Sequence, residues 1–367
     1  METEVYLNLG IMILFSVLLV LFIYQVVKQD RSAPFFIVSL ACGVAGGLFA
    51  FLDSMRDEIS VPLNHSILLA LQISFYGLQF MFFYLFLESL VTTRINPWRL
   101  TIAIMFFTIQ VLSLWLIVWF QGNPVTNDLW LFADIGYSNL ALFTFVIFGL
   151  FIYIRMYKYT KEVKPIIFAV ALIIVGGGFV IISLTDYIGY WGSIPSWLSE
   201  ISILGDALPL AGLAIFTITY LSDVSYIYRL PFDVYALMVT TNAGVSIHSV
   251  ALENTRRIKI EEQMLSGFLS AINELFRNFM GTKFPVDHIT SPEASILIEQ
   301  GSIINIVIVA SKDSTVLERG MKRYCKEFEH QFGHRIRSDL IDMSEFEDAK
   351  RLIRPIFPFL KVRKLET

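Results

Sequence analysis

The sequence predicts a membrane-embedded, all-α bundle of seven helices followed by a C-terminal α+β domain. The chain of 367 residues is 55% hydrophobic and only 16% charged, with 32 Phe, which is too apolar for a soluble protein of this size. Charge is concentrated at the end: from Pro231 onward there are 18 basic and 18 acidic residues, against 10 and 14 in the longer part before it. We therefore predict a membrane domain over 1–224, a linker over 225–232 and a soluble domain over 233–367.

Seven apolar runs are each long enough to cross a bilayer, which takes about 20 residues. They lie near 6–27, 34–52, 66–92, 98–120, 137–157, 165–188 and 197–222. With the N-terminus outside, the outer connections hold only Arg56. The cytoplasmic connections then hold nine basic residues, Lys28, Arg31, Arg94, Arg99, Arg155, Lys158, Lys161, Lys164 and Arg229. This asymmetry predicts a multi-pass protein of the cell membrane whose C-terminal domain is cytoplasmic.

Polar side chains inside the predicted spans are the candidate ligand-binding residues, because a polar group in lipid costs free energy unless it is paired or hydrated. Gln72, Tyr76 and Gln79 recur at helical spacing in the third span and share one face. The full candidate set is Gln72, Tyr76, Gln79, Asn139, Asp186, Ser202 and Asp206. With the predicted orientation these residues occupy the outer half of the bundle. They could hold a small polar ligand, or they could form hydrogen bonds between helices.

Two positions are candidate hinges. Pro209 lies in the seventh span, where a proline frees a carbonyl group and kinks the helix. Gly177 lies within the run Gly176 to Gly178 of the sixth span, where glycine permits bending or close packing. Glu88, near the cytoplasmic end of the third span, is expected to pair with a basic loop residue such as Arg94 or Arg155.

Two classes of membrane protein are disfavoured. A retinal protein needs a lysine in its last span for the Schiff base, but no span contains a lysine, and position 210 is Leu. A secondary transporter usually has repeated halves with broken helices, and no convincing repeat is visible here. Transport therefore stays an open but weaker alternative.

The seventh span contains Gly205-Asp206-Ala207-Leu208-Pro209-Leu210 and leaves the membrane through Tyr228-Arg229-Leu230-Pro231 into a predicted β-hairpin. With seven spans and an outer N-terminus, this region resembles the sensor region of prokaryotic seven-helix receptor histidine kinases, over roughly residues 6–235. The resemblance implies signal reception through an attached cytoplasmic domain. The chain departs from that family at its output, because the remaining residues are too few for an ATP-binding kinase domain.

The soluble part alternates between predicted strands and helices. Strands are expected over 233–240, 245–252, 286–290, 293–300 and 303–311, since these runs are rich in strand-forming residues and bounded by turns. Apolar residues at helical spacing predict a long helix over 258–280 that ends at Gly281. A second helix is predicted over 315–332 with a cap at Ser314, and a third over 345–353 that opens at Ser344 and is ended by Pro355 and Pro358.

This order of five strands and three helices resembles the longin fold and its roadblock-type relatives, over about 233–360. The resemblance implies a longin-like, five-stranded antiparallel-type sheet that binds proteins, often small GTPases or their regulators. A PAS-like sensor domain is the alternative, because it also begins with a hairpin. PAS domains place several short helices after that hairpin, whereas this sequence predicts one long helix.

No catalytic motif is present: the sequence contains no GxxxxGK[ST], HExxH or GxSxG pattern. His330 and His334 are four residues apart and would share a helix face, but Gly333 between them suggests that the helix is ending. We therefore expect a solvated helix end there, and neither a metal nor a cofactor. The neutral charge of the soluble part gives no reason to expect nucleic-acid binding.

These observations favour a non-enzymatic membrane receptor whose bundle binds an unknown small ligand and whose soluble domain recruits a cytoplasmic protein, with a small GTPase as the candidate partner. The alternative is a scaffold in which the helices only anchor the longin-like domain to the lipid bilayer.

Overall fold

The computed structural model describes residues 2–29, 34–56, 64–92, 95–120, 128–192, 195–222, 230, 232–242, 245–252, 264–265, 267–268, 271, 286–291, 294–336, 343–357 and 360. The chain forms two compact units, one helical and one built on a β-sheet, and after the last long helix the division falls between Val224 and Ser225.

The helical unit has one helix at each of the predicted apolar runs. These are α1 (Glu2–Gln29), α2 (Pro34–Ser54), α3 (His65–Val91), α4 (Pro97–Trp119), α5 (Asp128–Thr160), α6 (Lys164–Trp191) and α7 (Ser196–Ser222). Within the described ranges, five of them, α2 to α6, are long and apolar enough to cross a membrane. Among the described residues, α1 and α7 contain the apolar segments Asn8–Tyr24 and Ala207–Phe216. These five helices indicate a membrane protein.

Helix α5 differs from its prediction. It begins at Asp128 rather than near residue 137, and its middle part, Leu142–Gly149, is π-helical. The sequence interpretation placed Gly136 in a loop, but the structure uses this glycine for close packing: a Cβ atom there would lie 2.6 Å from the Gln110 backbone nitrogen on α4. Helix α5 therefore approaches α4 through backbone contact.

The beginning of α4 carries an ion pair whose carboxylate is buried. Asn96 caps the helix, its Oδ1 accepting hydrogen bonds from the backbone N–H groups of Trp98 and Arg99. The Arg99 guanidinium then reaches back to Glu88 on α3, with Nη1 3.1 Å from Oε2, and the Glu88 side chain is fully buried. The expected pairing of Glu88 with a basic residue is confirmed, with Arg99 as a partner. Arg94, one of the two examples named from the sequence, lies outside the described residues.

The outer surface of α4 is apolar. Its large exposed side chains are Trp98, Ile102, Ile104, Met105, Leu112, Trp115 and Trp119. Such a face suits contact with lipid rather than water.

The second unit contains the five-stranded antiparallel sheet that the sequence predicts. Its strands are β1 (Val234–Thr241), β2 (Ser246–Ala251), β3 (His288–Thr290), β4 (Ser295–Gln300) and β5 (Ile304–Ala310). Their spatial order is β2-β1-β5-β4-β3, and every neighbouring pair is antiparallel. All residues of the central strands β1 and β5 are buried, so both faces of the sheet are covered.

Alternate residues of β1 pack in opposite directions, as the pleat of a strand requires. Leu237 and Val239 join the core formed with α8 (Thr315–Ile336), the 3₁₀ helix Met343–Ala349 and α9 (Lys350–Ile356). Met238 packs on the other face with Leu265. Of the predicted helix over 258–280, residues 264–265, 267–268 and 271 are described and are helical, and the rest lies outside the described residues.

Three helix boundaries can be compared with prediction. The cap at Ser314 is confirmed, because its Oγ accepts a hydrogen bond from the Leu317 backbone nitrogen at 3.3 Å. Gly333 does not end α8, which continues to Ile336, because Gly333 faces the core, where it is buried near Ile303. The third predicted helix is a 3₁₀ turn followed by α9, and Pro355 lies inside α9.

His248 lies on β2, opposite Val239 of β1, and is buried. Only 7% of the residue is exposed, its ring lies 6.4 Å from that of Phe328, and its Nε2 has no hydrogen-bond partner among the described residues. Burial, and secondarily the charge of Lys350, lowers the pKa of His248 from its usual 6.5 to about 4. The folded sheet unit therefore holds this histidine neutral.

We expect the sheet unit to lose stability in acid. Between about pH 6.5 and 4 the unfolded chain binds a proton at His248 that the folded chain does not. Above pH 6.5 the titration of His248 should not change the free energy of unfolding. Acidification from there to pH 4 should lower the free energy of unfolding by up to about 3 kcal/mol. His248→Gln should remove this component. The measurement is the opening free energy of β1 and β5 amides by hydrogen exchange in the full-length protein, and an equal pH dependence in both proteins would contradict the expectation.

Candidate ligand-binding cavity

A cavity of about 420 Å³ lies inside the helical unit, within the range of about 300–1,000 Å³ that is common for small-molecule sites. Side chains from α1, α2, α3, α5, α6 and α7 line it, and α4 contributes none among the described residues. The polar and amphipathic lining residues are Asn8, Ser39, Gln72, Tyr76, Gln79, Trp130, Asp134, Tyr137 and Asp186.

The face of α3 predicted from its polar spacing does line the cavity. Gln72, Tyr76 and Gln79 all border it. The ring of Tyr76 packs on α2 where Gly46 leaves room, because a Cβ atom at Gly46 would lie 2.7 Å from that ring. The Gln79 backbone carbonyl accepts a hydrogen bond from the Ser39 hydroxyl at 2.9 Å. The stripe therefore both borders the cavity and joins α3 to α2.

Of the other predicted ligand residues, one lines the cavity, one does not, and two have side chains that lie outside the described residues. Asp186 on α6 lines the cavity. Asn139 does not appear in the lining, and its side-chain amide donates to the Ile135 carbonyl of its own helix at 2.7 Å. Ser202 and Asp206 lie on α7, but their side chains are outside the described part of the chain, so their role stays a prediction.

Asp134 is a cavity residue that the sequence analysis did not identify. It lies one turn into α5 from Trp130, lines the cavity and is 8% exposed. Its carboxylate accepts hydrogen bonds from the hydroxyls of Ser138, at 3.2 Å, and Ser183. Asp186 is close enough to interact electrostatically with it. Asp134 lies between the predicted runs 98–120 and 137–157, so it was not considered as a helix residue. The available signal was its spacing of four residues from Ser138.

A cluster of aromatic rings also lines the cavity. The ring of Phe80 on α3 lies 5.3 Å from Tyr137, 5.2 Å from Phe145 and 5.5 Å from Phe179, measured between centroids. All four residues line the cavity. Separations of 4.5–7 Å are those at which aromatic pairs attract one another. The wall is therefore rigid and apolar, and it joins α3, α5 and α6.

The charged lining is acidic. Among the described lining residues are two carboxylates, Asp134 and Asp186, and no Lys, Arg or His. A site with this charge favours neutral or cationic molecules and repels anions, since charge interactions are strong where water is scarce.

The predicted hinge lies at the cavity wall. Pro209 of α7 borders the cavity and packs directly against Gly178 of α6, where an added Cβ atom would collide with the proline ring. Gly177, the glycine named from the sequence, has no neighbouring atom within 4 Å of such a Cβ. The close contact between the two helices thus involves Gly178.

His330 and His334 lie on one continuous helix, α8. In the described ranges, no group of three His, Cys, Asp or Glu side chains is arranged to hold a metal ion.

Comparison of the chain with protein-family models, with curated proteins and with solved structures gives no match. The function has to be argued from the cavity and from the two units themselves.

Proposed function

We propose that this chain is a membrane receptor or sensor. In this proposal all seven helices cross the cell membrane with the N-terminus outside, the cavity binds a small ligand, and the cytoplasmic sheet unit binds a protein partner. The observation that carries the proposal is the cavity itself. It is of ligand size, combines polar groups with an aromatic wall, and reaches Pro209 on the helix that precedes the sheet unit in the sequence.

The route of the signal follows from the cavity lining. Pro209, Leu213 and Phe216 of α7 border the cavity, so a bound ligand touches the last helix directly. A proline removes one backbone hydrogen bond and weakens the helix at that point. Ligand binding shifts the population between two positions of α7 to the extent that the ligand prefers one of them. The segment after α7 passes this shift to the sheet unit.

The sheet unit fits a longin-like protein-binding module. The strand order β2-β1-β5-β4-β3, a helical segment between β2 and β3, and the three helical elements after β5 support this assignment. A small GTPase or its regulator is the partner class that such a module implies, and a scaffold that only anchors the module is the competing function.

A cavity-filling substitution separates a sensor from a scaffold. Leu69→Trp places a large ring into the cavity and mimics occupancy. Leu112→Trp adds the same ring on the exposed face of α4, away from the cavity lining. If the protein is a sensor, Leu69→Trp should change amide exchange rates in Val234–Thr241 or Thr315–Ile336 by about twofold or more, whereas Leu112→Trp should not. The measurement uses full-length protein in lipid nanodiscs.

The scaffold function predicts the opposite result. Exchange rates in the sheet unit would then be unchanged in both variants, although Leu69→Trp still alters the exchange of α3 itself. That outcome would remove the proposed coupling and leave the helices with an anchoring role.

A further inference from the structure

We propose that the ligand of this cavity is a lipophilic amine, whose ammonium group lies between Asp134 and Asp186 and whose apolar body contacts the aromatic wall. This inference rests on the proposed function, because it assigns a chemical class to the ligand of the same cavity.

The charge of the site is the first argument. Asp134 is more than nine-tenths buried and lines the cavity together with Asp186. The hydroxyls of Ser138 and Ser183 donate to the Asp134 carboxylate, but neutral donors do not compensate its charge. Two acids near one another in a poorly hydrated space are stabilised by a cation placed between them. The described lining supplies no basic side chain, so a ligand cation suits this position.

The aromatic wall is the second argument, and it indicates that the cation is organic. Tyr137 follows Asp134 by three residues on α5, so both lie on one face of the helix. Phe179 precedes Asp186 by seven residues on α6, which is two turns along the same face. The ring centroids of Tyr137 and Phe179 lie 5.6 Å apart, and that of Phe80 lies within 5.5 Å of both. Aromatic faces attract ammonium groups and also bind apolar groups.

The cavity volume is the third argument. A space of about 420 Å³ is far larger than a bare metal ion and fits a molecule with an apolar body of several carbon atoms. An anionic ligand would meet two carboxylates at the polar end. A neutral lipid would fill the volume but leave the charge of Asp134 uncompensated.

Binding of matched probes to the full-length protein in nanodiscs tests the inference. The probes are phenylbutylamine, phenylbutanol and phenylbutyrate, which share one apolar body and differ in charge. We expect saturable binding of the amine with a Kd at least about tenfold below that of the alcohol. A charge-assisted hydrogen bond to a carboxylate contributes enough binding free energy for a difference of that size. The carboxylate should bind more weakly than the alcohol. Asp134→Asn should weaken amine binding by about tenfold or more and leave alcohol binding within about twofold.

Two further variants complete the test. Asp128→Asn removes the same charge from the exposed start of α5, away from the cavity lining, and should leave amine binding unchanged. Asp186→Asn provides a second carboxylate variant, and retained alcohol binding shows that each variant is folded.

Equal affinities for amine and alcohol would overturn the assignment of an amine but leave the cavity as a ligand site, so the proposed function would stand. The same conclusion about the amine follows if neither Asp134→Asn nor Asp186→Asn weakens its binding. Absence of saturable binding for all three probes would also overturn the amine assignment, and the cavity-filling variants would then decide the proposed function separately.

Discussion

Replacing Arg99 by alanine should destabilise the helical unit by about 3 kcal/mol or more, because it takes a cation away from the fully buried carboxylate of Glu88. The Glu88 side chain has no exposed surface, and both of its oxygens lie within 3.3 Å of Arg99 Nη1. The guanidinium also lies over the ring of Phe148 at 5.1 Å from the centroid, so the substitution removes a packing contact as well. The measurement is the free energy of unfolding in mixed detergent micelles.

The double variant Glu88→Gln/Arg99→Ala distinguishes a charge effect from lost packing. A neutral amide at position 88 costs less to bury than a carboxylate, so the double variant should recover at least half of the lost stability. If the single variant loses less than about 1 kcal/mol, the pair behaves as an exposed surface ion pair, and the buried carboxylate has another compensating partner.

Gly178→Ala should destabilise the protein by about 1–3 kcal/mol, the usual cost of overpacking, and should alter the cavity. The added methyl group would collide with the Pro209 ring and lie 2.9 Å from the Gly205 carbonyl oxygen. A proline ring and a backbone carbonyl cannot rotate out of the way, so α6 and α7 have to separate. Because Pro209 lines the cavity, we expect weaker binding of cavity ligands in addition to a lower Tm.

Gly177→Ala is the matched control, one residue earlier on the same helix and with open space around the new methyl group. It should leave Tm unchanged or raise it slightly, since alanine stabilises a helix relative to glycine by up to about 1 kcal/mol. Equal Tm changes in the two variants would show that helix propensity accounts for the change at both positions. The contact between Gly178 and Pro209 would then not contribute measurably to stability.

Much of the local structure could be predicted from the sequence. A helix that crosses a bilayer needs a long apolar run, so the positions of the helices were predictable. Polar residues on one face of a helix recur every three or four positions, so the face carrying Gln72, Tyr76 and Gln79 was predictable too. Alternation of apolar residues and turn signals likewise predicted the five strands.

Prediction failed where a residue has a different meaning in a helix and in a loop. Asp134 and Gly136 suggested the end of a loop, yet both lie in α5, where the acid faces the cavity and the glycine admits the backbone of α4. Gly176 to Gly178 presented a similar problem, because three adjacent glycines contain no information about which of them faces a neighbouring helix.

The two units, the apolar helices, the strands and the polar face of α3 follow from the sequence, because each depends on residues that are close along the chain. Three pairings became visible with the folded chain: Asp134 interacts electrostatically with Asp186, Arg99 pairs with Glu88, and Gly178 packs on Pro209. These pairs join different helices, and side-chain periodicity defines the buried face of a helix but not the partner that packs on it.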